Sequence, residues 1–202
     1  MKKIIAVSTL VLLLSGCETM APVTSTNPNA VRSAGGVQSL QLQSVDWEYA
    51  AKKAVEEFLS SKFSSKPGGG RYVVAMGDVI NDTTLDIRTQ SLTSQMKGLM
   101  TRTGSFIFTG AVGTERTRTV GDSRQLSQSA MFDQRTTTRN NTVIAPDLEM
   151  LGAIRQRTIP GGGRQALEYE FDFRVVELHT GLEIFQAFIK IDKTGSNQKF
   201  SW

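Results

Sequence analysis

The densest cluster of residues that could carry chemistry comprises Asp78, Asn81, Asp82 and Thr83. Its two carboxyl groups could act as an acid/base pair or hold a divalent cation. The spacing does not match an EF-hand loop, which places carboxylates at alternate positions and a glutamate at the twelfth. Asx turns and helix N-capping account for the same residues without chemistry. We therefore interpret the cluster as turn and capping residues, with contact to a protein partner as the functional alternative and catalysis as the weakest one.

A single histidine and a single cysteine limit the remaining catalytic and metal chemistry. A histidine-based zinc site or a Ser-His-Asp triad would depend on His179. That residue lies in His179-Thr180-Gly181, a turn pattern between two strand-like runs. We expect no catalytic residue, no metal ligand and no cofactor, so the sequence does not predict an enzyme.

The cysteine, Cys17, closes a secretory leader. Residues 1–3 are short and positive, residues 4–14 are almost entirely apolar, and Leu14-Ser15-Gly16-Cys17 follows. Eleven residues fall well short of the roughly 20 that span a bilayer. The ending resembles the bacterial lipoprotein signal, which implies that residues 1–16 are removed and that Cys17 is acylated with fatty acids such as palmitate. The alternative is a plain leader in which Cys17 is incidental.

The residues after Cys17 predict a location and a flexible connection. Glu18 follows the cysteine where lipoproteins retained in the inner membrane typically carry aspartate, so we expect an outer-membrane protein that faces the periplasm. Residues 18–44 are mostly Thr, Ser, Asn, Pro, Gly and Gln, too polar to offset the entropy of ordering. We therefore predict that residues 17–44 form the lipidated cysteine and a flexible periplasmic tether.

Chain length, composition and charge indicate that the remaining residues, 45–202, form one globular domain. The chain has 202 residues, of which 39% are hydrophobic and 21% charged, with a formal net charge of +4. That length supports one packed domain with appendages. The positive excess is small and contains no long run of like charge, so nucleic acid is not expected as a partner.

Hydrophobic periodicity predicts helices in the first half of the domain. Asp46 is a candidate N-cap, and the apolar residues from Trp47 to Leu59 follow the spacing of one helical face. Residues 71–80 are short, apolar and β-branched, as in a central strand. Turn residues then introduce a second helix that begins near Leu85, followed by a short strand at residues 106–108. A third helix is predicted where Asp122 and Gln125 precede Leu126, Ala130 and Phe132.

The second half of the domain is predicted to be strands. Residues 148–159 precede a glycine loop, and residues 167–175 alternate apolar with charged side chains in period two. After the His179 turn, residues 185–191 form a last strand. We predict an α+β fold, with a small, largely antiparallel sheet of about four strands and helices packed on it.

The run Val73-Val74-Ala75-Met76-Gly77-Asp78-Val79-Ile80-Asn81-Asp82-Thr83-Thr84 resembles the signature of the LpoB family, the penicillin-binding-protein activator lipoproteins. Shorter similar pieces follow in the family's order: Thr103-Gly104-Ser105-Phe106, Ala145-Pro146-Asp147-Leu148, Gln156-Arg157, Glu168-Tyr169 and Thr180-Gly181-Leu182. Their order is more specific than any one piece, and the similarity covers residues 45–202.

The resemblance implies a domain similar to the N-terminal domain of TolB that docks on a bifunctional penicillin-binding protein, a peptidoglycan synthase, and stimulates it. The candidate partner-binding residues are Asp78, Asn81, Asp82, Arg88, Arg155 and Arg157. A second arginine set could also face a partner or simply be solvated: Arg116, Arg118, Arg124, Arg135 and Arg139. The alternative function is a structural or secretion lipoprotein of the curli-secretion type.

Overall fold

A mixed β-sheet with helices on one face organises the domain. The computed structural model describes residues 23–30, 40–161 and 164–196. Two short 3-10 turns, Lys62–Ser64 and Leu126–Gln128, accompany the main elements. In chain order the main elements are β1 (Thr24–Ser25), α1 (Ser44–Ser60), β2 (Tyr72–Asp82), α2 (Thr89–Arg102), β3 (Phe106–Phe108), α3 (Arg118–Gln125), β4 (Leu148–Gly161), β5 (Arg164–Glu177) and β6 (Leu182–Ser196).

The strand order in the described part of the chain is β1-β6-β5-β4-β2-β3. Strands β4, β5 and β6 form the predicted antiparallel meander, and β1 adds to β6 in the same sense. Strand β2 lies parallel to both β3 and β4. The α+β class is confirmed, but the prediction of about four strands is wrong because the described residues form six.

Helix α1 has the predicted apolar face, and it covers the sheet. Its buried residues include Ala50, Ala54 and Phe58, and the Phe58 ring lies 5.7 Å from the ring of Phe106 and 5.2 Å from that of Phe185. The helix begins at Ser44 with Gln43 as N-cap, so Asp46 is not the N-cap. Asp46 occupies the third helical position, where its carboxylate accepts a hydrogen bond from the Gln43 backbone N–H at 2.8 Å.

The two faces of the sheet differ, as the period-two pattern predicts. Side chains such as Met150 and Val175, which are register partners, point into the core beneath α1 and α2. The alternate residues of β2, β4, β5 and β6 lie on the opposite face, which we call the solvent face. Charged residues dominate that face on β5, where they are Glu168, Glu170, Asp172 and Arg174.

Part of the predicted tether packs against the domain. We call residues 23–30 the strap. Its strand β1 pairs with Lys193 and Thr194 of β6, and Val23 is buried. Asn27, 1% exposed, donates from Nδ2 to the Asp46 carboxylate at 2.8 Å and to the Val45 carbonyl at 3.1 Å.

Within the predicted flexible connection, the strap and residues 40–44 thus pack on the domain, and Leu40 is buried. The cause is that a few buried side chains, together with strand pairing, order a segment whose average composition is polar. Residues 17–22 and 31–39, like the leader and Cys17, lie outside the described residues.

A long connection, residues 109–147, joins β3 to β4. The predicted third helix is displaced toward the N-terminus, because α3 ends at Gln125 and Leu126 begins a 3-10 turn. Phe132, predicted as part of a helical apolar face, is 45% exposed, and its neighbour Met131 is 90% exposed. Asp122 and Gln125, the predicted capping pair, lie inside α3 and do not begin a helix. Too little apolar surface is buried here to stabilise a longer helix. No helix in residues 23–30, 40–161 and 164–196 is long and apolar enough to cross a membrane.

Candidate functional site

The solvent face carries a row of alternating charges across four strands. Strand pairing places Asp82 of β2 opposite Arg155 of β4, Arg155 opposite Glu170 of β5, and Glu170 opposite Lys190 of β6. Arg155 Nη1 lies 3.2 Å from Glu170 Oε1. We call these four residues the ionic row. The ammonium of Lys190 lies 3.8 Å from Glu168, diagonally across the strands. Opposite charges on facing residues stabilise a sheet, so the Arg155–Glu170 pair favours this strand register.

Asp172 orders the neighbouring side chains of this face. It is 3% exposed, and its carboxylate lies 3.4 Å from Arg155 Nη1 and 3.7 Å from Arg174 Nε. Gln186 Nε2 donates to the same carboxylate at 3.0 Å. The 3.7 Å separation is too long for a hydrogen bond, and Arg174 Nε is a buried donor without an acceptor among the described residues. Both guanidinium groups are thus held on the face, with hydrogen-bonding capacity to spare.

Apolar side chains flank Asp172 in a second row. Ile80 of β2 pairs with Ala153 of β4, Ala153 with Asp172 of β5, and Asp172 with Phe188 of β6. Ile80 is 58% exposed and Phe188 51% exposed, whereas the small Ala153 between them is buried. We call Ile80, Ala153 and Phe188 the apolar row. Arginine and aromatic residues next to each other are enriched in protein interfaces.

The predicted site residues do not form a single cluster. Asp82 and Arg155 come together in the ionic row, and Arg157 is the register partner of Glu168 one step further along β4. Asp78 is exposed at the irregularity of β2 between Met76 and Val79.

Asn81 makes the hydrogen bonds of a turn residue although it belongs to a strand. It lies within β2, not in a turn, yet its Nδ2 donates to the Leu85 carbonyl at 2.8 Å and its Oδ1 accepts from the Thr83 hydroxyl at 2.8 Å. The turn chemistry is present, but it does not cap a helix, because α2 begins only at Thr89.

Arg88 lies apart from this group, at the N-cap position of α2. Its exposed side chain helps to line a cavity of about 420 Å³ between the start of α1 and the segment before α2. Trp47 and Leu85 supply apolar surface to this cavity, and Asp86 and Gln95 supply polar groups. The structure does not bring Arg88 together with Arg155.

The second arginine set lies on the long β3–β4 connection. Arg135 pairs with Asp133 at 3.1 Å, and Arg124 donates to the Thr142 hydroxyl at 3.3 Å. Arg116, Arg118 and Arg139 are exposed. These arginines therefore do not form part of the sheet's solvent face.

A carboxylate outside the solvent face fixes the start of β4. Asp147 accepts from Lys66 Nζ at 2.7 Å and from the Val73 backbone N–H at 2.8 Å. Burial raises the pKa of Asp147, but the hydrogen bonds from Lys66 and Val73 outweigh it, so the pKa lies below its usual value. Among the described residues no group of three His, Cys, Asp or Glu side chains could hold a metal ion.

The partner-binding residues predicted from the sequence include Asp82, Arg155 and Arg157 of the solvent face. They do not include Asp172, Ile80 or Phe188 of the same face. The alternation along β5 does place Asp172 on the wet face. Its burial depends on which residues of β4 and β6 lie opposite, and strand register between distant segments is not visible in a period-two pattern.

The helices and the mixed sheet with its ionic and apolar rows define an α+β domain with an ordered solvent face. The sequence profile of the family described as peptidoglycan-synthase activator LpoB matches residues 46–191. The chain therefore belongs to the LpoB family, as its sequence motifs indicate. The family is one of regulatory activators rather than catalysts, and its members are in general periplasm-facing lipoproteins.

Solved structures of related domains were compared with the chain. The LpoB C-terminal domain from Salmonella enterica is 14% identical, with 72% of this chain and 97% of that chain covered and a TM-score of 0.43. The LpoB C-terminal domain from Escherichia coli is 12% identical, with coverage of 75% and 99% and a TM-score of 0.37. The NMR structure of E. coli LpoB is 11% identical, with coverage of 96% and 83% and a TM-score of 0.41. The comparison with curated proteins finds no match.

Proposed function

We propose that this protein is an outer-membrane lipoprotein that binds and activates a bifunctional penicillin-binding protein. The observation that carries the proposal is the family match, which spans residues 46–191 and hence nearly the whole folded domain. The signal Leu14-Ser15-Gly16-Cys17 supports acylation of Cys17, and Glu18 supports outer-membrane placement. The family match favours this function over the secretion-type alternative.

The docking surface we assign to the proposed function is the solvent face, centred on Arg155 and Arg174. Asp172 holds both guanidinium groups before any partner arrives, so less side-chain entropy is lost on binding. Ile80 and Phe188 offer exposed apolar surface on either side, and desolvation of such groups supplies binding energy. A carboxylate of the partner can reach the guanidinium of Arg155, whose side chain is 47% exposed, and form a charge-assisted hydrogen bond with it.

Activation in this proposal is a shift of the synthase's conformational equilibrium. A ligand stabilises a conformation only by its differential affinity for it. The domain would therefore bind the active conformation of the synthase more tightly than the inactive one, and it would contribute no catalytic group. Removal of the domain should return the synthase to its basal rate.

The test uses the mature chain carrying Cys17→Ala, which cannot be acylated, and a purified bifunctional synthase in detergent. We expect the chain to bind the synthase and to raise both glycan polymerisation and peptide crosslinking. Incubated alone with lipid II or sacculi, the chain should give no turnover. Absence of binding, or turnover without the synthase, would refute the proposal.

Anchoring is tested separately in cells. Cys17→Ala should abolish incorporation of labelled palmitate and release the protein from the membrane fraction, whereas Ser15→Ala should do neither. Labelling that persists in Cys17→Ala would show that another residue is acylated and that the assigned signal is wrong.

A further inference from the structure

Within the described residues, one edge of strand β6 is largely unpaired. The strand has 15 residues, and its neighbours in the described part of the chain are β5 and β1. Strand β1 pairs only with Lys193 and Thr194. From Leu182 to Ile191, this side of β6 therefore faces no strand among the described residues. An open edge is a template for pairing with another chain.

The hydrogen bonds between the strap and β6 show which backbone groups of β6 point to the open edge. The Thr26 N–H donates to the Asp192 carbonyl at 3.0 Å, and the Asp192 N–H donates to the Thr26 hydroxyl at 2.9 Å. The polar backbone groups of Asp192 thus point away from β5. The pairing of β6 with β5 is regular from Phe185 to Ser196, so every second residue shares that orientation. The backbone N–H and C=O of Gln186, Phe188 and Lys190 therefore point to the open edge.

The strap leaves this edge for an identifiable reason. After Thr26, the Asn27 side chain is held by the Val45 carbonyl and the Asp46 carboxylate. These bonds turn the chain toward the start of α1 and away from the line that β1 would follow along β6. The strap thus covers one end of the edge, and no strand among the described residues pairs with the rest.

A groove runs beside the open edge. One hollow of about 510 Å³ lies between α1 and Phe185 of β6, and a second of about 320 Å³ lies between α1 and Asn29 of the strap. Lys53 and Glu56 line both hollows, so the two hollows adjoin along the flank of α1 and together form the groove. In strand addition, main-chain hydrogen bonds supply affinity and pockets for alternate side chains supply specificity.

We propose that the synthase supplies an extended segment that pairs with the β6 edge in line with β1. Its backbone bonds to Gln186, Phe188 and Lys190, and its alternate side chains enter the groove. An apolar side chain fits against Phe185. A basic side chain fits the α1 wall beside it at Glu57, because Glu56 already pairs with Lys52 at 3.7 Å. This inference rests on the proposed function, and it adds a backbone-mediated contact to the solvent face.

The decisive comparison is between Lys190→Pro and Lys190→Thr. Both variants lose the ammonium group, but only proline also removes the N–H that points to the open edge. Proline is tolerated on an edge strand where its nitrogen faces solvent. We expect Lys190→Pro to bind the synthase at least 10-fold more weakly than Lys190→Thr, with stimulation lost in parallel. Thermal unfolding of both variants checks the fold, and Gln186→Pro against Gln186→Thr repeats the comparison if Lys190→Pro does not fold.

Hydrogen exchange on the wild-type chain supplies an independent measurement. Addition of the synthase should slow exchange of the Gln186, Phe188 and Lys190 amides at least 10-fold. Equal affinity of the proline and threonine variants, with exchange unchanged, would overturn the edge pairing while wild-type binding still supported the proposed function. If the wild-type chain does not bind the synthase at all, both the proposed function and this inference fail.

Discussion

The ammonium of Lys193 on β6 lies 2.5 Å from a carboxylate oxygen of Asp46 in the first turn of α1, and the two side chains are 2% and 0% exposed. The same carboxylate accepts hydrogen bonds from the Gln43 backbone and the Asn27 side chain. Helix, last strand and strap therefore meet at one buried ion pair, on the opposite side of β6 from the exposed Phe188. Because both charges are removed from water, the loss of either side chain would leave the other charge buried without its ion-pair partner.

We expect Asp46→Asn and Lys193→Met each to lower the free energy of unfolding by about 3–5 kcal/mol, because a buried charge is left without its partner. The double variant should lose clearly less than the sum of the single losses. Urea unfolding of the four proteins, followed by circular dichroism, measures this cycle. Additive losses would show that the two charges are not coupled.

Asn27→Ala tests whether the strap is part of the fold. The variant loses the bonds to Asp46 and to the Val45 carbonyl, and we expect a loss of about 1–3 kcal/mol in unfolding free energy. The Thr26 amide should also exchange faster. Asn29→Ala, at an exposed strap position, is the matched control. Unchanged stability in Asn27→Ala would mean that the strap packs without contributing to the fold.

The elements that the sequence predicted well are those with local signals. The face of α1, the strand at residues 106–108 and the alternation of β5 follow from spacing alone. The turn at His179 is also confirmed, with Gly181 at φ +73°. Each pattern lies within one segment, so no knowledge of distant contacts is needed.

The elements that the sequence missed depend on contacts between distant segments. Strand β1 pairs with residues about 170 positions away, and β2 lies parallel to β4 across the long connection. The ionic row shows the same limit within the site. Asp82, Arg155 and Glu170 are individually visible, but their alignment depends on strand register.

The hydrogen bonds of Asp147 predict a pH dependence of stability. Although burial opposes it, the bonds from Lys66 and Val73 lower the pKa of this carboxyl in the folded protein. Its stabilising effect is therefore fully present above the unfolded pKa of about 3.9, and it is lost as pH falls through the lower folded pKa. At pH 7 we expect Asp147→Asn to lower the unfolding free energy by about 1–2 kcal/mol.

Denaturant titrations between pH 7 and pH 3 measure this effect. The difference between wild type and Asp147→Asn should shrink as the pH drops below about 4. Asp133→Asn is the control, because Arg135 lowers the pKa of Asp133 in an exposed ion pair that contributes little to stability. A difference for Asp147→Asn that persists at pH 3 would contradict the assignment to its ionised form.

Charge reversal at Arg155 tests the solvent face as the docking surface. Arg155 contacts both Glu170 and Asp172, so Arg155→Glu places three carboxylates together and reverses the charge that a partner meets. We expect affinity for the synthase to fall at least 10-fold, about 1.4 kcal/mol, with the loss mainly in the dissociation rate. Surface plasmon resonance with immobilised synthase measures both rates.

Two controls separate docking from stability in this experiment. Arg102→Glu makes the same charge change in the last turn of α2, in the helical layer on the other side of the sheet, and it should alter affinity less than twofold. Arg155→Ala removes the guanidinium without adding a carboxylate, so its unfolding transition should stay closer to that of wild type. If Arg155→Ala and Arg155→Glu both retain wild-type affinity while folded, the solvent face is not the docking surface. If Arg102→Glu lowers the affinity for the synthase as much as Arg155→Glu does, the loss reflects the change in net charge and not a local contact with the sheet.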